Sequence, residues 1–417
     1  MKIKIKKNNK KDIIALGLGT ILGQGVNLLS QPILTRIISP EDLGVYSYII
    51  SMATLVIPIA SLKLETLIVT EKENEEADYI TDLSLITVLV ISLLYMVGIF
   101  ISLLINENSF NGVGSYSFWV PMLVFGSGIR FVFISYSNRY KNYKVIARNS
   151  IMREGSMSGI QLFSAFFNGG ITGQLVGYCL SPLFGLNSVV KYYFKSLKKR
   201  ERLSKKNVKK ILTSGKKQVI YQVPGQFINT FSYTLITLSI TSLFTPFEVG
   251  LYSVSFRVLN LPLVLITNNV SKVFLQKMSE KYRGKESVWK FYLRIIKYLV
   301  PISILGFSLL ALIAPNLSAF VFGLEYFEAG KYITILCIMY AFRFVASSIM
   351  ESYVLFDKQS VNVFFQVLIV IMGIIAHIIT LLFNLNIYTY LMLISVSYGF
   401  IYILIIINIG FICKNIG

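Results

Sequence analysis

Residues 191–217 read KYYFKSLKKRERLSKKNVKKILTSGKK; twelve of the 27 are Lys or Arg, and Glu201 is the only acid. The run lies near the midpoint of 417 residues, between long apolar segments. A run of this kind has three readings: a nucleic-acid contact, a solvated linker, or a cytoplasmic loop of a membrane protein. The composition favours the third. Only 14% of the residues are charged, 54% are hydrophobic and the mean hydropathy is +0.66. A soluble chain carries about 25% charged residues.

A membrane crossing needs about 20 mostly apolar residues. Twelve intervals meet that criterion: 13–38, 42–64, 80–105, 117–138, 148–168, 171–194, 218–244, 249–272, 292–314, 332–356, 361–383 and 387–412. With both termini inside, the inner segments hold 35 of the 40 basic residues, and the outer ones hold only Arg36 and Lys331. That asymmetry predicts the orientation and a multi-pass protein of the cell membrane. The net charge of +20 is then explained by topology and attraction to anionic lipid, and the nucleic-acid reading falls away. The Lys-rich start runs into the first interval without an A-x-A-like site, which predicts a retained span. Cys179, Cys337 and Cys413 lie in apolar segments without metal-ligand spacing, so buried free thiols are expected.

The chain repeats itself. LTRIISPEDLGVYSYIIS (34–51) matches ITSLFTPFEVGLYSVSFR (240–257) at an offset of 206, pairing Thr35, Pro40, Gly44, Tyr46 and Ser47 with Thr241, Pro246, Gly250, Tyr252 and Ser253. Arg130-Phe131-Val132 matches Arg343-Phe344-Val345 at an offset of 213. Six spans separate the copies, so the halves share one orientation and form parallel repeats. The expected fold is all-α: twelve transmembrane helices in two six-helix lobes, 1–204 and 205–417, with the central loop between them. Pro58, Pro182, Pro224, Pro262 and Pro301 fall within the intervals and are read as kinks or as hinges.

Two kinds of residue are candidates for a binding site. Thr20, Gln24, Asn27 and Gln31 share one face of the first span, and Gln222, Gln226, Asn229 and Tyr233 share one face of the seventh. Such stripes are either helix–helix contacts or the lining of a cavity, where neutral amides suit sugar hydroxyls. The second kind is basic residues inside spans: Arg130, Arg257 and Arg343. On the insertion scale each costs about 2.5–3.5 kcal/mol at mid-span, so all three facing lipid would cost about 8–10 kcal/mol. They must face a wet cavity or a carboxylate. Glu154 and Glu351 are two candidate partners for three arginines, and the surplus guanidinium matches phosphate oxygens. Lys63 and Glu65 form a possible ion pair at the inner end of span 2. His377 reads as a packed core residue. Paired carboxylates, metal-ligand clusters, a Gly-rich phosphate loop and a Ser/His/Asp arrangement are all missing, which argues for no cofactor, no metal and no enzyme chemistry.

Three stretches carry a family resemblance: QPILTRIISPEDLGVYSYIIS (31–51), SLKLETLIVTEKENEEADYI (61–80) and SKVFLQKMSEKY (271–282). They resemble the polysaccharide flippases of the multidrug/oligosaccharidyl-lipid/polysaccharide exporter superfamily. The resemblance implies a MATE-like fold, two lobes around a central cationic cavity open to one side at a time. It implies a cargo, an undecaprenyl-diphosphate-linked oligosaccharide moved from the inner to the outer leaflet for cell-surface polysaccharide. It also implies that Arg257, Arg36, Lys63, Arg130 and Arg343 face that cargo, and that a polymerase and glycosyltransferases act in the same pathway. Alternatives are a cation-coupled multidrug antiporter, a peptidoglycan-precursor flippase, and a membrane glycosyltransferase or polymerase. The first would want a carboxylate in intervals 13–38 or 218–244, which have none, and the last would want a large outer loop with convergent acids.

Overall fold

The computed structural model describes residues 9–106, 113–198, 203–216, 218–284 and 286–416. Among them the secondary structure is helical throughout, and the chain divides into two compact units, Met1–Thr230 and Phe231–Gly417. Lys199, Arg200, Glu201, Arg202 and Lys217 of the basic run lie outside the described residues.

The first unit holds α1 (Asn9–Leu34), α2 (Pro40–Val56), α3 (Glu65–Thr70), α4 (Asn74–Ile105), α5 (Trp119–Arg139), α6 (Tyr143–Phe166), α7 (Gly170–Leu180), α8 (Asn187–Leu197), α9 (Lys205–Ser214) and the start of α10 (Val223–Leu243). The second holds the rest of α10, α11 (Pro246–Pro262), α12 (Asn268–Arg283), α13 (Val288–Phe322), α14 (Phe327–Ile349), α15 (Ser352–Leu355), α16 (Gln359–Phe383) and α17 (Ile387–Ile416).

Among the described residues, eight helices are long and apolar enough to cross a membrane, and they coincide with eight of the twelve predicted intervals. The other four intervals, 13–38, 148–168, 171–194 and 218–244, are not in that set. They contain α1, α6, α7 with α8, and α10. Three of these carry the polar side chains of the candidate site: Asn27 on α1, Arg153 and Glu154 on α6, Gln226 on α10. Elsewhere the apolar surface turns outward. Leu94 and Leu104 on α4 and Leu305, Leu312 and Phe320 on α13 are exposed, as expected where the solvent is lipid.

The repeated motif makes the same local structure twice. Ser39 caps α2, its hydroxyl accepting from the Asp42 N–H at 3.2 Å, with Pro40 as the first helical residue. Thr245 caps α11, its N–H donating to Glu248 at 2.7 Å, with Pro246 in the same place. Proline suits that position because its missing donor would be unpaired there anyway. Pro58 and Pro182 sit in short 3-10 turns that interrupt their spans, and Pro262 precedes a π turn at Leu263–Thr267. These are the local irregularities that bend helices.

Small residues bring helices close. A Cβ on Gly23 of α1 would lie 2.8 Å from the Ser150 carbonyl oxygen of α6, and one on Gly19 would lie 2.8 Å from Ala147 Cβ. A Cβ on Gly330 of α14 would lie 2.3 Å from Pro315 Cα of α13. Close backbone approach of this kind packs helices where lipid offers no hydrophobic drive. The basic segment also docks within its own unit. Ile211 of α9 is buried, and Lys210 pairs with Glu76 at the start of α4. The hydrogen bond to Glu76 pushes the Lys210 ammonium up from its ordinary value.

Candidate functional site

In the first unit the site is built where α1, α5 and α6 meet. The Asn27 amide donates to Glu154 Oε2 at 2.9 Å, and the Gln31 amide donates to Asn27 Oδ1 at 3.3 Å. Ser30 bonds Ser158 at 3.1 Å. Asn27 thus ties the polar stripe of α1 to α6, Gln31 supports it from the next turn, and Gln24 is half-buried. Glu154 also pairs with Arg153, whose guanidinium lies 5.5 Å from the Tyr178 ring centroid. Arg130 of α5 donates from Nε to Asn149 Oδ1 at 2.8 Å. Asn149 is buried, and its own amide donates to the Phe184 carbonyl at 2.6 Å, which fixes its orientation. Arg130 is within electrostatic range of Arg153, Glu154 and Tyr178. This cluster holds two guanidinium groups and one carboxylate.

In the second unit Arg343 of α14 lies among tyrosines. Its guanidinium carbon is 4.2 Å from the Tyr233 ring centroid and 5.1 Å from that of Tyr340. Tyr252 and Tyr402 also act on it electrostatically. Cation–π contacts of this geometry are worth up to about 2 kcal/mol when desolvated. Glu351 is exposed beyond the end of α14. Among the described residues of this unit, every acid lies in the first or last turn of a helix or between helices. Arg257 is half-buried on α11, between buried Ser255 and Leu259.

The remaining predicted residues sit at helix ends or on α10. Arg36 is exposed in the turn after α1. Lys63 is half-buried in a left-handed turn, with φ of 54° at Leu62 and 60° at Lys63. Glu65 is buried and accepts a hydrogen bond from Ser61. Gln226 donates to Thr230 Oγ1 at 3.3 Å within α10, and Asn229 beside it is half-buried. His377 is half-buried on α16. Cys337 and Cys413 are buried and Cys179 is half-buried; all three are free. No group of His, Cys, Asp and Glu able to hold a metal occurs among the described residues.

Sequence reasoning passed over Arg153, which it counted among the inner basic residues at the start of interval 148–168. It lies midway along α6, because that helix starts at Tyr143 rather than near 148. It also passed over the tyrosines around Arg343. The signal was present in Tyr398 and Tyr402, one helical turn apart, and in Tyr340, three residues before Arg343.

A family model described as polysaccharide biosynthesis protein matches residues 33–331, more than half of the chain. No curated protein matches the sequence. Among solved structures, the chain is similar to a multidrug resistance MATE family transporter of the MOP superfamily in its inward-facing conformation, with a TM-score of 0.70 and 15% identity over 97% of this chain and 98% of that one. It is similar to the lipid II flippase MurJ in an inward closed conformation, with a TM-score of 0.70 and 14% identity over 95% and 86%. It is also similar to a MOP superfamily transporter from Pyrococcus furiosus, with a TM-score of 0.56 and 14% identity over 98% and 96%. Identities this low speak for the fold, which is that of the MOP superfamily.

Proposed function

Since the chain belongs to the polysaccharide biosynthesis protein family, a flippase family of the MOP superfamily, we propose that it moves an undecaprenyl-diphosphate-linked oligosaccharide from the inner to the outer leaflet of the cell membrane. All twelve intervals cross the membrane in this reading, with both termini cytoplasmic and lobes at 1–204 and 205–417. The observation that carries it is the company Arg130 keeps. It donates to a neutral amide rather than to a carboxylate, in a cluster of two guanidinium groups and one carboxylate. An anionic cargo supplies the balance.

Arg130 and Arg257 each offer a diphosphate the fork geometry that matches phosphate oxygens. Rings cover the Arg343 guanidinium, so it is not a main contact of the cargo. Arg36 and Lys63, at helix ends, draw the headgroup toward the protein. Gln24, Gln226 and Asn229 meet sugar hydroxyls, while Asn27 and Gln31 hold α1 against α6. The polyprenyl tail stays in lipid. A polymerase and glycosyltransferases of the same pathway consume and supply the cargo.

Export of surface polysaccharide in cells carrying Arg130→Ala, Arg257→Ala and the double variant tests this. Export falls to background in the double variant while membrane insertion persists, and lipid-linked repeat units accumulate in the inner leaflet. Arg257→Lys restores export only in part, because an ammonium keeps the charge and loses the fork. Normal export by an inserted double variant would refute the proposal. The fold shared with MurJ supports a second reading, a peptidoglycan-precursor cargo. Accumulation of that precursor instead of polysaccharide repeat units would select it.

A further inference from the structure

The tyrosines around Arg343 bury their hydroxyls without satisfying them. Tyr340, Tyr398 and Tyr402 are each 1% exposed, and none of their hydroxyls has a hydrogen-bond partner. The Arg343 Nε is likewise buried and unbonded. These groups come from α14 and α17 and act on one another electrostatically, with Tyr233 of α10 among them. Gly373 of α16 helps to place one of them: a Cβ there would lie 2.5 Å from the Tyr398 hydroxyl, so only glycine lets it approach. An unsatisfied buried donor is costly, and several in one place need a common explanation.

The chemistry of the set decides what kind of ligand fits. Arg343 offers donors and no acceptor, and each hydroxyl can donate. A cation is repelled by the guanidinium at the centre. Water can satisfy hydroxyls but leaves the charge uncompensated, in a unit whose described acids all stand at helix ends. An anion accepts from every donor at once and neutralises the charge. Hydroxyls this buried exclude a bulky phosphate ester and favour a small ion. Arg343 itself is only half-buried, which gives the ion an edge to enter by.

We propose that the second unit binds a small monovalent inorganic anion, of halide class, on Arg343 Nε and the hydroxyls of Tyr340, Tyr398 and Tyr402. The site uses neither Arg130 nor Arg257, the residues assigned to the cargo, and does not depend on what the cargo is.

The test is equilibrium dialysis of the purified full-length protein against radiochloride, without lipid-linked ligand and at constant ionic strength with gluconate as the balancing anion. One saturable site per chain is expected, displaced by bromide. Arg343→Met removes it. Tyr398→Phe combined with Tyr402→Phe keeps shape and charge and weakens binding about tenfold or more, since two donors to a charged acceptor are lost. This pair decides the matter if Arg343→Met fails to fold. Absence of saturable chloride binding by the folded wild type would overturn the proposal. So would unchanged affinity in the Tyr→Phe pair, or a preference for inorganic phosphate over chloride.

Discussion

The side-chain amide of Asn27 donates to the carboxylate of Glu154 at 2.9 Å, joining the polar stripe of α1 to the middle of α6. Glu154 thereby serves two partners, since it also pairs with Arg153. Both charged side chains are largely buried, with 18% and 16% of their surface exposed.

Glu154→Gln keeps an acceptor for Asn27 but removes the charge that Arg153 needs. Breaking a buried pair from one side costs about 3–5 kcal/mol. Thermal unfolding in detergent will show Glu154→Gln markedly less stable than the wild type. Arg153→Met added to it recovers much of the loss, because no unpaired charge remains. Simple additivity of the two substitutions would show that the pair is not coupled.

Orientation can be read with single cysteines in a background where Cys179, Cys337 and Cys413 are replaced. Leu324 is 87% exposed between α13 and α14, and Lys206 is exposed on α9. An impermeant thiol reagent applied to intact cells will label Leu324→Cys and spare Lys206→Cys until the membrane is opened. The reverse pattern would invert the topology derived from the basic residues.

Helix packing in the second unit is tested at two glycines. A Cβ at Gly330 would sit 2.3 Å from Pro315 Cα and 2.5 Å from the Ala314 carbonyl oxygen, whereas one at Gly306 meets nothing within 4 Å. Gly330→Ala must push α13 and α14 apart and will lower the unfolding temperature by several degrees. Gly306→Ala will leave it unchanged or raise it slightly, because alanine costs less than glycine in a helix interior, by about 1 kcal/mol. Equal behaviour of the two variants would mean that the close approach at Gly330 carries no packing energy.

The sequence by itself determined that this is an all-helical membrane protein with an internally repeated motif. Hydropathy is a sum over adjacent residues, and loop charge needs only a count, so both survive without three-dimensional information. The repeated motif around Pro40 and Pro246 was legible for the same reason, and the caps that the structure shows there are made by residues within one turn. Tertiary structure alone decided which polar groups meet. Glu154, the sequence neighbour of Arg153, was a candidate partner for three distant arginines, and folding brought it Asn27 of α1 instead. Arg343 was one of three similar cations until packing set Tyr233 and Tyr402, from helices distant in the chain, around it beside Tyr340 of its own helix. The face that each helix turns to its neighbour is set by steric fit along its whole length, as at Gly23 against Ser150. No local window of sequence contains that fit, so a buried charge announces itself in the sequence but its partner does not.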